Sequence, residues 1–287
     1  MKPQKIWRLG LVGYPLEHSF SPLLHKTALT ETGLTGIYRL LPLPQMENLA
    51  LVLDQVRSGE LDGINITIPY KQTVLPYLDG LTPSAQAIGA VNTVYNKDGR
   101  LIGENTDAPG FWLDLVRFVP ESVMPHQQAL VLGAGGAARA VVFALAEQGW
   151  QVNVVARRLA QAQDLVETLG FPNVSTSLWD AIQKSSFLNK FKLMVNTTPI
   201  GLFPNINESP LTNNVTLPPG LVVYDLVYNP IQTALLTFTK SQGNLALSGL
   251  GMLVYQAALA FEAWTGKKPS VQTMESAVKR KLGLEEK

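Results

Sequence analysis

The sequence predicts an α/β fold in two domains, on three observations. The chain has 287 residues, 46% of them hydrophobic and 16% charged, which exceeds what one core usually serves and is apolar enough for two. From Gln128 onward, short apolar strands alternate with helical periodicity, as in a parallel sheet covered on both faces. The preceding residues are turn-rich and follow a less regular rhythm, which marks a separate α/β block.

In chain order, 9–12 reads as a first strand ending at Gly13 and Pro15, and Ser21-Pro22 opens a helix running to Thr32. A second helix is expected over 45–57, and a short strand over 62–67 is stopped by Pro69. Residues 91–95 and 100–103 read as a hairpin across Asn96-Lys97-Asp98-Gly99. The regular half then comprises strand 128–132, helix 136–148, strand 151–156, helix 159–169, and strands near 193 and 222. Two helices, 251–265 and 270–282, flank Gly266 and Pro269, and the pattern leaves open which domain they join.

Composition narrows the function classes. A formal net charge of +1 provides no basic footprint for nucleic acid, so a small-molecule partner fits better. The absence of cysteine excludes disulfides, thiolate zinc sites and cysteine nucleophiles, and accords with a reducing cytoplasm. After Lys2 and Lys5, Arg8 interrupts the apolar run and Gly13, Pro15 and Glu17 end it, so no signal peptide is expected, and other apolar runs are too short to span a bilayer. The protein is expected to be soluble, cytoplasmic and mature from Met1. His18, His25 and His126 have no metal-ligand spacing, so no metal is expected.

The first chemical motif follows the apolar strand end Leu130-Val131-Leu132 directly. It is the turn Gly133-Ala134-Gly135-Gly136-Ala137-Ala138, which leads into an alanine-rich helix. In a dinucleotide-binding Rossmann turn the first glycine permits the tight bend, and the second lets backbone approach a pyrophosphate. A small third residue, here Ala138, allows close helix packing. Backbone N–H groups and the helix dipole then bind the anion. At the end of the next strand, where an NAD enzyme usually has a carboxylate for the ribose hydroxyl, stands Ala156-Arg157-Arg158. Two guanidinium forks suit a 2′-phosphate, so the expected cofactor is NADP.

The first block concentrates small polar residues near predicted strand ends: Ser19 and Ser21, Asn65 and Thr67 with Lys71, Asn92, and Asp107. Each also has a plain structural reading, the serines and Asp107 as helix caps and Asn92 as a turn residue. Asn65, Thr67 and Asn92 are expected inside apolar strands, where unpaired polar groups are costly, and together the set suits a polyhydroxylated ligand.

These residues fall in motifs through which nearly the whole chain resembles the shikimate dehydrogenases. The motifs are Gly13-Tyr14-Pro15 through His18-Ser19-Phe20-Ser21-Pro22, Asn65-Ile66-Thr67-Ile68-Pro69-Tyr70-Lys71, Gly89-Ala90-Val91-Asn92-Thr93 and Asn105-Thr106-Asp107. They continue through the Gly133 turn, Asn196-Thr197-Thr198-Pro199, Tyr224-Asp225-Leu226-Val227-Tyr228-Asn229-Pro230 and Gly249-Leu250-Gly251-Met252-Leu253.

The resemblance implies a substrate-binding domain of 1–106 with 249–287 and a Rossmann NADP-binding domain of 107–248, the C-terminal helices returning to the first. It implies reversible NADP-linked reduction of 3-dehydroshikimate to shikimate in aromatic amino-acid biosynthesis, by a monomer or homodimer. Carried over residue by residue, Ser19, Ser21 and Tyr228 would hold the substrate carboxylate, and Asn65, Thr67, Asn92, Asp107 and Gln256 the ring hydroxyls. Lys71 and Asp107 would be the acid-base pair, with protonated Lys71 meeting the charge that hydride transfer builds on oxygen. Gly133, Ala134, Gly135, Gly136, Ala137, Arg157, Arg158, Thr197, Leu226 and Gly249 would line the cofactor site. The chain departs from the family pattern after the second Rossmann strand, where Ala156, Arg157, Arg158 and Gln161 replace an Asn-Arg-Thr run followed by a further arginine. The nearest rival is a quinate/shikimate dehydrogenase using NAD or NADP. The rival of another class is a non-catalytic metabolite sensor, which should have lost Lys71 or Asp107.

Overall fold

The residues following Lys5, apolar apart from Arg8 and the glycines, form a strand of the first sheet. In the computed structural model, which describes residues 5–119 and 127–284, this run is β1 (Ile6–Gly13), with its second half buried. It is followed by α1 (Ser21–Glu31), β2 (Thr35–Pro42), α2 (Leu49–Arg57), β3 (Gly63–Ile66), β4 (Gly80–Leu81), α3 (Pro83–Ile88), β5 (Thr93–Lys97) and β6 (Arg100–Glu104). The strands form one mixed sheet in the order β2-β1-β3-β5-β6-β4. β1 runs parallel to β2 and β3, whereas β3 with β5 and β5 with β6 are antiparallel. A core of Val12, Leu53, Ile64, Ile66, Val91 and Val94 fills one layer.

The expected hairpin exists, with a shorter turn. Asn96 and Lys97 stay in β5, and only Asp98 and Gly99, at φ 54° and 80°, make the reversal. Two residues with positive φ match the right-handed twist of the flanking strands. An additional strand, β2, carries no clear signal in the sequence, because its Thr-Gly-Ile-Tyr-Arg run is half exposed at a sheet edge and shows no apolar stripe. Pairing with all eight residues of β1 holds it as a strand.

After α4 (Asp107–Leu115), the second sheet comprises β7 (Gln128–Leu132), α5 (Gly136–Glu147), β8 (Gln151–Ala156), α6 (Leu159–Leu169), β9 (Val174–Leu178), α7 (Ser185–Leu188), β10 (Leu193–Asn196), β11 (Val222–Asp225), α8 (Ala234–Ser241) and β12 (Leu245–Ser248). Its order is β12-β11-β10-β7-β8-β9, with every pair parallel. The first strand therefore lies in the middle, and the direction of winding reverses between β7 and β10, where ligands of such sheets bind beyond the strand ends. The central strands are apolar and fully buried, as at Val131, Val154, Val195 and Val223. Edge strands β9 and β12 were not anticipated, since an edge needs less apolar sequence.

The tail forms α9 (Leu250–Thr265) and α10 (Val271–Lys281). By internal contacts the chain divides into Met1–Gly110 with Leu253–Lys287, and Phe111–Met252, so the tail returns to the first unit. Trp264 lies so close to β3 that a Cβ on Gly63 would stand 2.4 Å from the indole, and its Nε1 donates to the Val94 carbonyl at 3.2 Å. Glu31 at the end of α1 accepts from the Ser270 amide at 2.7 Å, fixing the start of α10. His126 and residues 1–4 lie outside the described residues. Among the described residues, no helix is long and apolar enough to cross a membrane.

Candidate active site

Lys71 owes its position to the turn that Pro69 imposes after β3. Tyr70 is buried and donates through its hydroxyl to the Leu43 carbonyl at 2.6 Å, while the Val91 amide donates to the Lys71 carbonyl at 2.7 Å. The side chain thus leaves a pinned backbone. Its Nζ donates to Asp107 Oδ2 at 2.6 Å, with 16% of the lysine and 5% of the aspartate side chain exposed. Asp107 is the first residue of α4, where a carboxylate meets the positive end of the helix dipole.

Asp107 does not cap that helix through its side chain. Asn105 does so, with Oδ1 accepting from the Asp107 and Ala108 amides at 3.0 and 3.1 Å. Both Asp107 oxygens are therefore available to side chains, one for Lys71 and the other for Asn92 Nδ2 at 2.9 Å. Asn92, 2% exposed, is the hub. Its Oδ1 accepts from the Thr106 amide at 2.8 Å, and its Nδ2 also approaches Thr106 Oγ1 at 2.9 Å and Gln256 Oε1 at 3.4 Å. Leaving such a buried amide unmatched would cost about 1–3 kcal/mol, so the network holds the carboxylate in a set orientation.

Of the three residues expected inside strands, only Asn65 is within one. Thr67 follows the end of β3 and Asn92 precedes β5, although their backbones still bond to the neighbouring segments, the Thr67 amide to the Val12 carbonyl at 2.8 Å and the Asn92 amide to the Glu104 carbonyl at 3.1 Å. Asn65 Nδ2 donates to the Asn92 carbonyl at 3.1 Å and to Thr93 Oγ1 at 3.2 Å, so it joins the same network. Ser19 Oγ accepts from the Ser21 amide at 3.2 Å; neither serine caps α1 from the N-cap position, which Phe20 occupies. Lys71, Asp107, Asn65, Asn92 and Gln256 are thus brought together, with Thr67 half-buried beside β3. Tyr228 belongs to the second unit, and burial raises its phenol above the ordinary value. Thr93, Thr106 and Tyr38 also join this network; of these only Thr106, in the polar Asn105-Thr106 pair, carries a visible signal in the sequence.

In the second unit, Gly133 has φ +114°, and a Cβ there would stand 2.5 Å from Thr197 Oγ1. Thr197 donates to the Leu132 carbonyl at 2.6 Å, tying the end of β10 to the end of β7. Gly135 is the N-cap of α5 without a side-chain cap, and a Cβ on it would project into open space. The first turn of α5 bears partly buried Gly136 and Ala137 and fully buried Ala138, and the leading amides of a helix have no intrahelical acceptor. Ala134 is half-buried within this turn.

Arg157 and Arg158 are exposed at the end of β8, with no carboxylate between that strand and α6. Arg158 Nε donates to Gln161 Oε1 at 3.0 Å, so the residue that departs from the expected arginine orients its neighbour instead. Gly249 lies against Leu226, just past β11, where a Cβ would stand 2.4 Å from the Leu226 carbonyl oxygen. An open cradle of amides beside two cations fits a phosphorylated dinucleotide.

Asp225, at the end of β11, is buried beside this region. It accepts from Thr233 Oγ1 at 2.7 Å, Asn196 Nδ2 at 2.9 Å and the Val227 amide at 3.1 Å. Desolvation outweighs those donors and pushes its carboxyl up to about 6.

Known proteins resemble this chain over almost its whole length. Residues 11–94 match the family described as "Shikimate dehydrogenase substrate binding domain", and residues 249–279 match "Shikimate 5'-dehydrogenase C-terminal domain". A shikimate dehydrogenase (NADP(+)) of Shouchella clausii is 38% identical over 96% of this chain and 98% of its own. The crystal structure of shikimate 5-dehydrogenase from Thermus thermophilus, in complex with NADP(H) and shikimate, superposes with a TM-score of 0.83. It is 40% identical, covering 96% of this chain and 99% of that one. The ligand-free 5-ketofructose reductase of Gluconobacter sp. strain CHM43 is also similar, with a TM-score of 0.84 at 29% identity, covering 96% and 99% of the two chains. With relatives this similar over almost its entire length, and with both family motifs present, the chain belongs to the shikimate dehydrogenase family.

Proposed function

We propose that this protein catalyses the reversible NADP-linked reduction of 3-dehydroshikimate to shikimate, with Lys71 and Asp107 as its acid-base pair. The observation that carries the reading is the 2.6 Å contact of these two side chains at a half-buried position, within a network that fixes the carboxylate. Bound NADP supplies the hydride in one direction and accepts it in the other. In reduction, negative charge grows on the carbonyl oxygen, and an ammonium held there stabilises it and delivers the proton, leaving a neutral amine that solvent reprotonates. Asp107 keeps the ammonium aimed and accepts a hydrogen bond from a ring hydroxyl. Asn65, Thr67, Asn92 and Gln256 supply the remaining polar contacts to the ring.

Ser19 and Ser21 provide hydroxyl donors for a carboxylate, which favours an acid over a neutral sugar ketone as substrate. Arg157 and Arg158 hold the 2′-phosphate. Gly133 through Ala137, with Thr197, Leu226 and Gly249, line the rest of the cofactor site. The test is an assay of 3-dehydroshikimate reduction with NADPH and NADH in parallel, with quinate oxidation and 5-ketofructose reduction as controls. Turnover is expected with NADPH and 3-dehydroshikimate. Preferred turnover of a control substrate would reassign the substrate, equal kcat/KM with both cofactors would remove the role of the arginines, and no turnover at all would favour a metabolite sensor.

A further inference from the structure

The orientation of Asn65 is set from behind, by a residue with no part in the reading above. Asn65 is 4% exposed, and its amide nitrogen faces the Asn92 carbonyl and Thr93 Oγ1. A carbonyl only accepts, so the nitrogen must point toward Asn92 and the amide oxygen must point away. On that opposite side the Tyr38 hydroxyl donates to Asn65 Oδ1 at 2.8 Å. Tyr38 stands on the edge strand β2 and is itself held by its ring, which stacks on buried His25 with centroids 4.3 Å apart and planes 8° apart. A continuous path of side chains then leads from Tyr38 through Asn65, Thr93 and Asn92 to Asp107 and Lys71.

We infer that Tyr38 is a positioning residue of the substrate site, locking the Asn65 carboxamide so that its polarity toward a ring hydroxyl is preset. The inference rests on the proposed role of Asn65 in substrate binding. Removing the hydroxyl alone leaves the stacking ring in place and strips a buried amide oxygen of its donor.

The variant is Tyr38→Phe, measured in two ways. In steady-state kinetics, KM for shikimate should rise roughly three- to tenfold, the worth of one such hydrogen bond, with kcat and KM for NADP changed less than about twofold. By NMR, the assigned side-chain amide protons of Asn65 should exchange with solvent at least about threefold faster than in the unaltered protein. An unchanged shikimate KM, or equal losses in the KM for NADP, overturns the inference, as does unchanged Asn65 exchange. If the unaltered protein turns over no shikimate, the functional reading fails, and the exchange experiment still decides whether Tyr38 orients Asn65.

Discussion

His25 should make the first domain sensitive to acid, and replacing it with phenylalanine should remove that sensitivity. The imidazole is fully buried among Tyr38, Phe261 and Trp264, with ring centroids 4.3, 6.3 and 5.2 Å away. Neither ring nitrogen has a hydrogen-bond partner among the described residues, and the nearby Asn65 carboxamide gives the charged form only partial support. Burial dominates and lowers the imidazole from 6.5 to about 3. The unfolded chain therefore takes up the proton first. The stabilising contribution is complete above 6.5 and is lost as the pH falls from there toward 3.

At pH 5 the loss is about 2 kcal/mol relative to neutral pH. Asp225 acts in the opposite sense. Its folded-state value of about 6 exceeds the ordinary 3.8, so the folded chain holds that proton more tightly, and stability rises as the pH falls between those values. That gain is about 1 kcal/mol at pH 5, which partly masks the histidine in the unaltered protein. Urea unfolding of the unaltered protein and of His25→Phe at pH 7.5 and pH 5 separates the two effects. The variant should gain about 2 kcal/mol on the unaltered protein between the two conditions. An identical difference at both pH values would refute the reasoning, since it would mean that the buried imidazole does not resist protonation.

Two further outcomes follow from the site. Lys71→Ala should lower kcat roughly 10²- to 10⁴-fold with little change in KM for shikimate, and a loss confined to KM would remove the proton-transfer role. Arg157→Ala should raise KM for NADPH roughly ten- to a hundredfold while leaving KM for NADH unchanged, which parallel titrations of both cofactors would check.

Much of the second domain was legible because its signals are local. An apolar strand end, a glycine where φ must be +114°, and a small residue at the buried face of α5 all lie within nine residues, from Leu130 to Ala138. Strands β7 and β8 and helices α5 and α6 accordingly fell within a residue of their expected bounds. The edges were harder to read. β2, β9 and β12 carry half-exposed, mixed sequences, and a strand of that kind is held by its neighbour's hydrogen bonds rather than by its own periodicity.

Site residues divide in the same way. The sequence by itself determined the family and the parallel second sheet, and it singled out Lys71, Asp107, Asn65 and Asn92 as a candidate set. Only the tertiary structure decided that Asn105 caps α4 so that Asp107 is left for Lys71, that Asn92 is the hub between them, and that Tyr38 reaches Asn65 from a strand the pattern did not reveal. The physical reason is range. Turn geometry and helix packing constrain residues a few positions apart, whereas a buried amide takes whichever partner the sheet brings to it, here across 27 residues from Tyr38 to Asn65 and 164 from Asn92 to Gln256.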